Sequence, residues 1–487
     1  MSGYVIWILL ISIWNIILFY GRDLGVNVIL FMIPLLIFMY VFLKKNDRIK
    51  NVKGLLFIVP IIMLSTCYLV FNNELFQALN CLVIPLLFIL MYIYTIKPTF
   101  NLWTLLRNIG RVLFTPFEYI GRFYRVSTYK ISEKIKISDK TKKVFKSLLI
   151  VVPIVLIIIS LLSSADMIFG NIFDTVFDKI VHFFKYEIFD EIIGKICSVI
   201  ILFFAIGCTC LFLLHDYSIK EDKVKENKKP RELLTMKLLL SALNVIYIIF
   251  DFIQVRSLLL HKVGTTFTYA EYARRGFFEL MVVSLINLAI ILISKRYETK
   301  DNEKEYRYVE IMNVIMVLLT IVIIVSSFLR MHLYEAAYGY TTLRLLVFAT
   351  LITEAILMIP TIMYIFNSDI KVLRSYIIII TCAYLVLNFI NIDYMVARRN
   401  VNRYYANNKI DIDYLENYYT DNVPVLIELY KKTDDVDMKR ELENYLRHFR
   451  YENETDSYFE FNLSKYRALK LLDKNKIYAE KDYSNFE

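Results

Sequence analysis

The chain alternates long apolar stretches with short polar breaks. Residues 1–20, 26–43, 54–71, 75–96, 147–162, 196–214, 238–260, 269–293, 309–328, the run holding Arg344 and Glu354, and 376–392 read as spans. The pattern predicts an all-α, polytopic transmembrane helix bundle of about eleven spans, because a backbone in lipid must satisfy its own hydrogen bonds. The first run has no Lys or Arg before it and no small-residue cleavage site, so it reads as an uncleaved span. Four regions follow: a four-span region at 1–96, a basic loop at 97–146, a seven-span core at 147–394, and a soluble helical tail at 395–487.

Breaks at 44–53, 97–146, 215–237, 295–307 and 367–374 concentrate Lys and Arg. By the positive-inside rule this expects a cytoplasmic N-terminus and an extracytoplasmic tail. In the second break, Leu102, Leu105, Leu106, Ile109, Val112 and Leu113 fall at helical spacing opposite Arg107 and Arg111, and the pattern resumes after Thr115-Pro116. These are amphipathic helices for the inner leaflet, so anionic lipid is the expected partner of 97–146. A further interfacial helix is expected within 166–195, on the outer surface. Pro34, Pro60, Pro85, Pro153 and Pro360 sit inside spans, where they kink helices and free carbonyls.

Composition narrows the class. The 487 residues are 57% hydrophobic, and the net charge is +10. That charge lies in the loops, which fits membrane orientation and argues against a nucleic-acid partner. Cys67, Cys81, Cys197, Cys208, Cys210 and Cys382 lie inside or at the edge of apolar runs, so no disulfide framework is implied. The histidines make no paired-ligand spacing, and no metal or cofactor is expected. The tail carries two helical patterns but no Gly-rich phosphate loop, GxSxG or CxxC.

Candidate chemistry gathers in the later spans. Glu271, Arg275 and Glu279 share one helix face, with Arg274 beside them. Arg256, Arg330, Glu335 and Arg344 are expected at the same outer level, and Asp251, Glu279 and Glu354 deeper. Ionisable groups inside a membrane mark a functional site by default. Three readings stay open: an ion-pair network setting helix register, such as Asp251 or Glu279 with Arg256 or Arg275 and Glu335 with Arg344; a ligand or ion site, suited to an anionic group; or a catalytic centre.

The segments YAEYARRGFFEL (269–280), YEAAYGYTTLRLL (334–346) and NIDYMVARRNVNRY (391–404) resemble a family of uncharacterised bacterial multi-pass membrane proteins known as a domain of unknown function. The resemblance implies a cytoplasmic-membrane protein with no established activity, and it singles out Tyr269, Tyr272, Arg274, Tyr338 and Arg344 as motif residues. Three functions remain in view. The first is non-enzymatic binding, sensing or scaffolding at the outer face, with an outer-leaflet lipid or an envelope protein as partner. The second is a transporter or flippase of an anionic or amphipathic solute, which needs polar groups continuing to the inner side. The third is a membrane-embedded transferase acting on a lipid-linked substrate, for which no base or metal spacing is found.

Overall fold

The computed structural model describes residues 2–96, 102–128, 187–215, 230–259, 277–297, 303–408, 410–416, 420–453 and 458–478. The regular structure among them is helical. In chain order the α-helices are α1 (Ser2–Phe19), α2 (Val26–Lys45), α3 (Ile58–Val70), α4 (Glu74–Ile96), α5 (Leu102–Phe114), α6 (Ile120–Thr128), α7 (Glu187–His215), α8 (Pro230–Leu259), α9 (Phe277–Tyr297), α10 (Glu303–Tyr338), α11 (Thr342–Phe366), α12 (Val372–Phe389), α13 (Ile392–Asn407), α14 (Ile412–Glu416), α15 (Val423–Lys432), α16 (Val436–Asn453) and α17 (Leu463–Lys474).

Among the described residues, 9 helices are long and apolar enough to cross a membrane, and Gly3–Phe19 is apolar but shorter. The expected span at 147–162 and most of the expected interfacial helix within 166–195 lie outside the described residues. The outward faces of the spans are apolar, as lipid contact requires: Leu82, Ile201, Phe252 and Leu343 are each exposed. Pro34, Pro85 and Pro360 stand inside α2, α4 and α11.

The chain forms two compact units, residues 1–52 with 105–220, and residues 53–104 with 221–487. In the first unit α1 packs on α7, α2 and α6, and α7 packs on the 3-10 turn Thr115–Tyr119 and on α6. Phe123 of α6 is fully buried, its ring 5.0 Å from that of Phe203 and 5.6 Å from that of Phe204. Gly207 makes this possible, because a Cβ there would stand 2.0 Å from the Phe123 ring. The basic segment breaks at Thr115-Pro116, with α5 before the break and α6 after it. Leu105 and Val112 point inward, whereas Leu106, Leu113, Phe114 and Phe117 are exposed beside the exposed Arg107.

In the second unit α10 is central and packs against α8, α9 and α11. Helix α12 lies on α11 and on α3, which pairs with α4. Met316, Val317, Leu351 and Ile365 are fully buried in the core of these spans. The tail helices close on a separate cluster that includes Leu426, Leu429, Leu442, Leu446 and Leu472. The turn from α10 to α11 is clamped by α13. Gly339 adopts φ +87, a Cβ on it would stand 2.6 Å from Arg403 Nη1, and Asn400 exchanges two hydrogen bonds with the backbone of Tyr340, at 3.0 and 2.8 Å.

Candidate functional site

Two polar assemblies stand in the second unit. The first runs through the spans. Asn244, Tyr247, Asp251 and Gln254 share one face of α8. Asn244 donates to Met312 O at 2.9 Å, and Tyr247 donates to Asn287 Oδ1 at 2.8 Å. Asn287 in turn donates to Thr320 Oγ1 at 3.0 Å, and Ser294 to Asn313 Oδ1 at 2.8 Å. Ser284 donates to Glu354 Oε2. Gln254 Oε1 accepts from Ser326 at 3.1 Å and from Arg330 at 2.6 Å.

The residues singled out from the sequence divide as follows. Asp251 (6% exposed), Arg330, Glu335 and Glu354 (1% exposed) are buried among the spans. Asp251 has no hydrogen-bond partner on either oxygen, and Glu354 has none on Oε1. Glu335 lies in the field of Arg399, His332 and Arg344, and its Oε1 makes no hydrogen bond. Arg344 does not pair with it. Its guanidinium donates to Gly339 O and stands 4.3 Å over the Tyr334 ring. Glu279 is exposed near the start of α9. Arg256 lies on α8 with its side chain outside the described residues, as do Glu271, Arg274 and Arg275 entirely. Among the described residues no ion pair joins two members of this cluster; the ion pairs lie instead at Lys237–Glu305 and Arg307–Glu303 and in the tail.

The second assembly joins the ends of the spans to the tail. Its members are short amides that begin helices. Asn73 precedes α4 and accepts from Phe76 N at 2.9 Å; Asn391 precedes α13 and accepts from Tyr394 N at 3.0 Å. Asn462 precedes α17 and accepts from Ser464 N and Lys465 N at 2.9 and 3.1 Å. Each amide then spends its NH2 group elsewhere. Asn73 donates to Asp393 Oδ2 at 2.6 Å, Asn391 to Asp421 Oδ1 at 3.0 Å, and Asn462 to the carbonyls of Tyr68 and Phe71 at 2.8 and 2.9 Å. Those two carbonyls belong to the end of α3, whose last turn lacks intrahelical donors. Ser464 also donates to Asp421 Oδ1, and Asn72 reaches Asp421 through its backbone N at 3.3 Å and Thr420 Oγ1 through its side chain at 2.7 Å.

Asp393 is 2% exposed and Asp421 6%. Burial pushes the Asp393 carboxyl up to about 7; the bond from Asn73 opposes this and the neighbouring Asp421 charge adds to it. Burial likewise raises Asp421, against the bonds from Ser464, Asn72 and Asn391 and the charge of Arg467. Both carboxyls border a cleft of about 340 Å³, counting its open mouth, lined also by Cys67, Tyr68, Phe76, Gln77, Asn80 and Asn388. Deeper along it, Asn80 donates to Asn388 at 2.8 Å and accepts from Tyr384 at 2.7 Å. Among the described residues no group of three or more His, Cys, Asp or Glu is arranged to hold a metal ion. The sequence did hold one signal for this assembly: Asn immediately before a helical pattern, at 73, 391 and 462.

Helices of this length and apolarity, closed around buried polar networks, define a multi-pass α-helical integral membrane protein. Residues 58–429 match the family described as Domain of unknown function (DUF4153), and the chain belongs to that family. No curated protein and no solved structure matches the chain significantly. The family match takes in both carboxyls of the second assembly and ends before Asn462 and Ser464.

Proposed function

We propose that this chain is a non-enzymatic membrane protein that senses or scaffolds at the outer face of a bacterial cytoplasmic membrane, with its helical tail as the responding part. The observation that carries the reading is the bond between Asn73 and Asp393, together with its companions at Asp421 and Asn462. These groups engage one another and the helix ends, and so fasten the tail to the spans rather than presenting a reactive centre. One of them titrates near neutrality in a buried place, which suits a fastening that responds to its surroundings. Placement at the outer face rests on the loop charges.

The test uses the full chain in nanodiscs. A protease added from the side of the C-terminus should cleave the tail faster at pH 8 than at pH 6, after correction for the protease's own pH dependence. In Asp393→Asn the difference between the two rates should be much smaller. A C-terminal reporter active only in the cytoplasm should stay silent in cells; activity there would move the tail, and the proposed face, to the inner side.

A further inference from the structure

We propose that the bundle of α8, α9, α10 and α11 carries protons across the membrane, with Asp251 and Glu354 as the mid-membrane carriers. The proposal goes beyond the sensing reading and does not depend on the tail.

The first ground is continuity. Along α10 the buried polar positions run from Asn313 through Thr320, Ser326 and Arg330 to Glu335. At ~1.5 Å per residue this covers about 33 Å. A hydrocarbon core is about 30 Å thick, so the stripe reaches from face to face. Lys295 closes one end, donating to Ile365 O at 2.8 Å, and Arg330 stands toward the other.

The second ground is position. On α9, Asn287 meets Thr320 and the carbonyl of Phe277 meets Ser327, so Ser284 and its partner Glu354 fall between those levels of α10. On α8, Asn244 meets Met312 and Gln254 meets Ser326, which brings Asp251 to the same height. Both carboxyls therefore lie near the middle of α10, between the levels of the Asn287–Thr320 and Gln254–Ser326 hydrogen bonds.

The third ground is vacancy of bonding capacity. Both oxygens of Asp251 and Oε1 of Glu354 are buried without a hydrogen-bond partner, and no cation stands within ion-pair distance of either among the described residues. A native interior rarely leaves such acceptors idle unless they have a task. Other charged groups on the packed helices, among them Glu279 and Lys295 on α9, Arg330, His332 and Glu335 on α10 and Arg344 on α11, stand toward the helix ends, while the Tyr376 hydroxyl of α12 is bonded to Thr361 at 2.5 Å. The single hydroxyl hydrogen of Ser284 has two acceptors, Met281 O at 2.7 Å and Glu354 Oε2. It can turn away from Glu354 as a proton arrives there. Pro360, inside α11, removes a backbone donor within two turns of Glu354 and gives that helix a place to bend.

The step itself is small. A proton taken up from one face forms one O–H bond on a carboxylate, and its release to the other face breaks that bond. No electron moves, and the transmembrane potential supplies the drive.

The experiment reconstitutes the full chain in liposomes containing a pH-reporting dye and imposes a potassium diffusion potential with valinomycin. Wild type should acidify the lumen at least tenfold faster than protein-free vesicles. Glu354→Gln and Asp251→Asn should each fall to within twofold of the empty vesicles, while Glu441→Gln in the tail leaves the rate unchanged. Where a variant does not fold, dicyclohexylcarbodiimide is applied to the wild type, since it adds a buried carboxylic acid across its N=C=N group. Peptide masses should place the adduct on Glu354 or Asp251, with flux lost in step. Wild-type flux equal to that of empty vesicles overturns the proposal. So do a folded Glu354→Gln that conducts like wild type and full flux after both carboxyls are modified.

Discussion

Asn73 Nδ2 lies 2.6 Å from Asp393 Oδ2, across 320 positions of sequence, and joins the residue before α4 to the first turn of α13. The same amide caps α4 through its oxygen. One side chain thus ends the solvent exposure of a helix start and covers a buried carboxyl. Asn73→Ala removes both functions and leaves Asp393 Oδ2 without its donor. A buried acceptor stripped of its partner costs about 1–3 kcal/mol. The thermal unfolding midpoint in detergent should drop by several degrees, and proteolysis of the tail should quicken. Asn73→Asp should be worse than Ala at pH 8 and recover toward it at pH 6, because two carboxylates then face each other.

Asn462 separates capping from bridging. Its oxygen caps α17, and its NH2 group reaches the last carbonyls of α3. Asn462→Asp keeps an acceptor for the cap but turns a carboxylate toward two carbonyl oxygens. Asn462→Ser keeps a cap and drops the bridge without adding charge. The expected order of tail protection is Asn, then Ser, then Asp. Limited proteolysis reads it directly, and Asp equal to Asn would mean that the bridge to Tyr68 and Phe71 carries no stability.

Gly207 and Phe123 make a second test in the first unit. A methyl group at 207 would fall inside the Phe123 ring, so Gly207→Ala should destabilise by about 1–3 kcal/mol through overpacking. Phe123→Leu should lessen the clash. The double variant is then more stable than the sum of the single losses requires, and a double-mutant cycle by thermal unfolding measures the difference. Strict additivity would mean that the two residues do not meet.

The spans were legible because hydrocarbon leaves a chain few alternatives: apolar runs such as 74–96 and 342–366 can only be helices that hide their backbones. Asp251 and Glu354 were legible for the same reason, as carboxyls set inside such runs. Their neighbours Ser284, Asn287 and Thr320 were not, since small polar residues bond within or between helices and leave hydropathy almost unchanged. The second assembly was hidden more deeply. Asn73, Asp393, Asp421 and Asn462 lie far apart in sequence, follow no period, and each resembles an ordinary loop residue. The segments 334–346 and 391–404 stood out as separate patterns. The structure gives a physical link between them, in Asn400 and Arg403 gripping the turn at Gly339 and in Arg399, 5.1 Å over the Tyr340 ring.

The pH response follows from the sign of one shift. The folded Asp393 carboxyl, at about 7, lies above its ordinary value of 3.8. Docking of the tail therefore binds a proton: its contribution is full below about pH 4 and is lost as pH rises through about 7. Between pH 6 and pH 8 the change is roughly tenfold in the docking equilibrium, or ~1.4 kcal/mol. The raised Asp421 acts in the same direction. Asp393→Asn removes the charge at nearly constant shape, so it should remove most of the pH dependence and match or exceed wild-type docking at pH 8.

Hydrogen exchange on the full chain in nanodiscs, expressed as protection factors for α15 and α17, tests the fastening most directly. Wild-type protection there should fall about tenfold from pH 6 to pH 8 while the α10 core stays constant, and Asp393→Asn should show much the smaller fall. Equal protection at both pH values in the wild type, or an undiminished fall in Asp393→Asn, would contradict it.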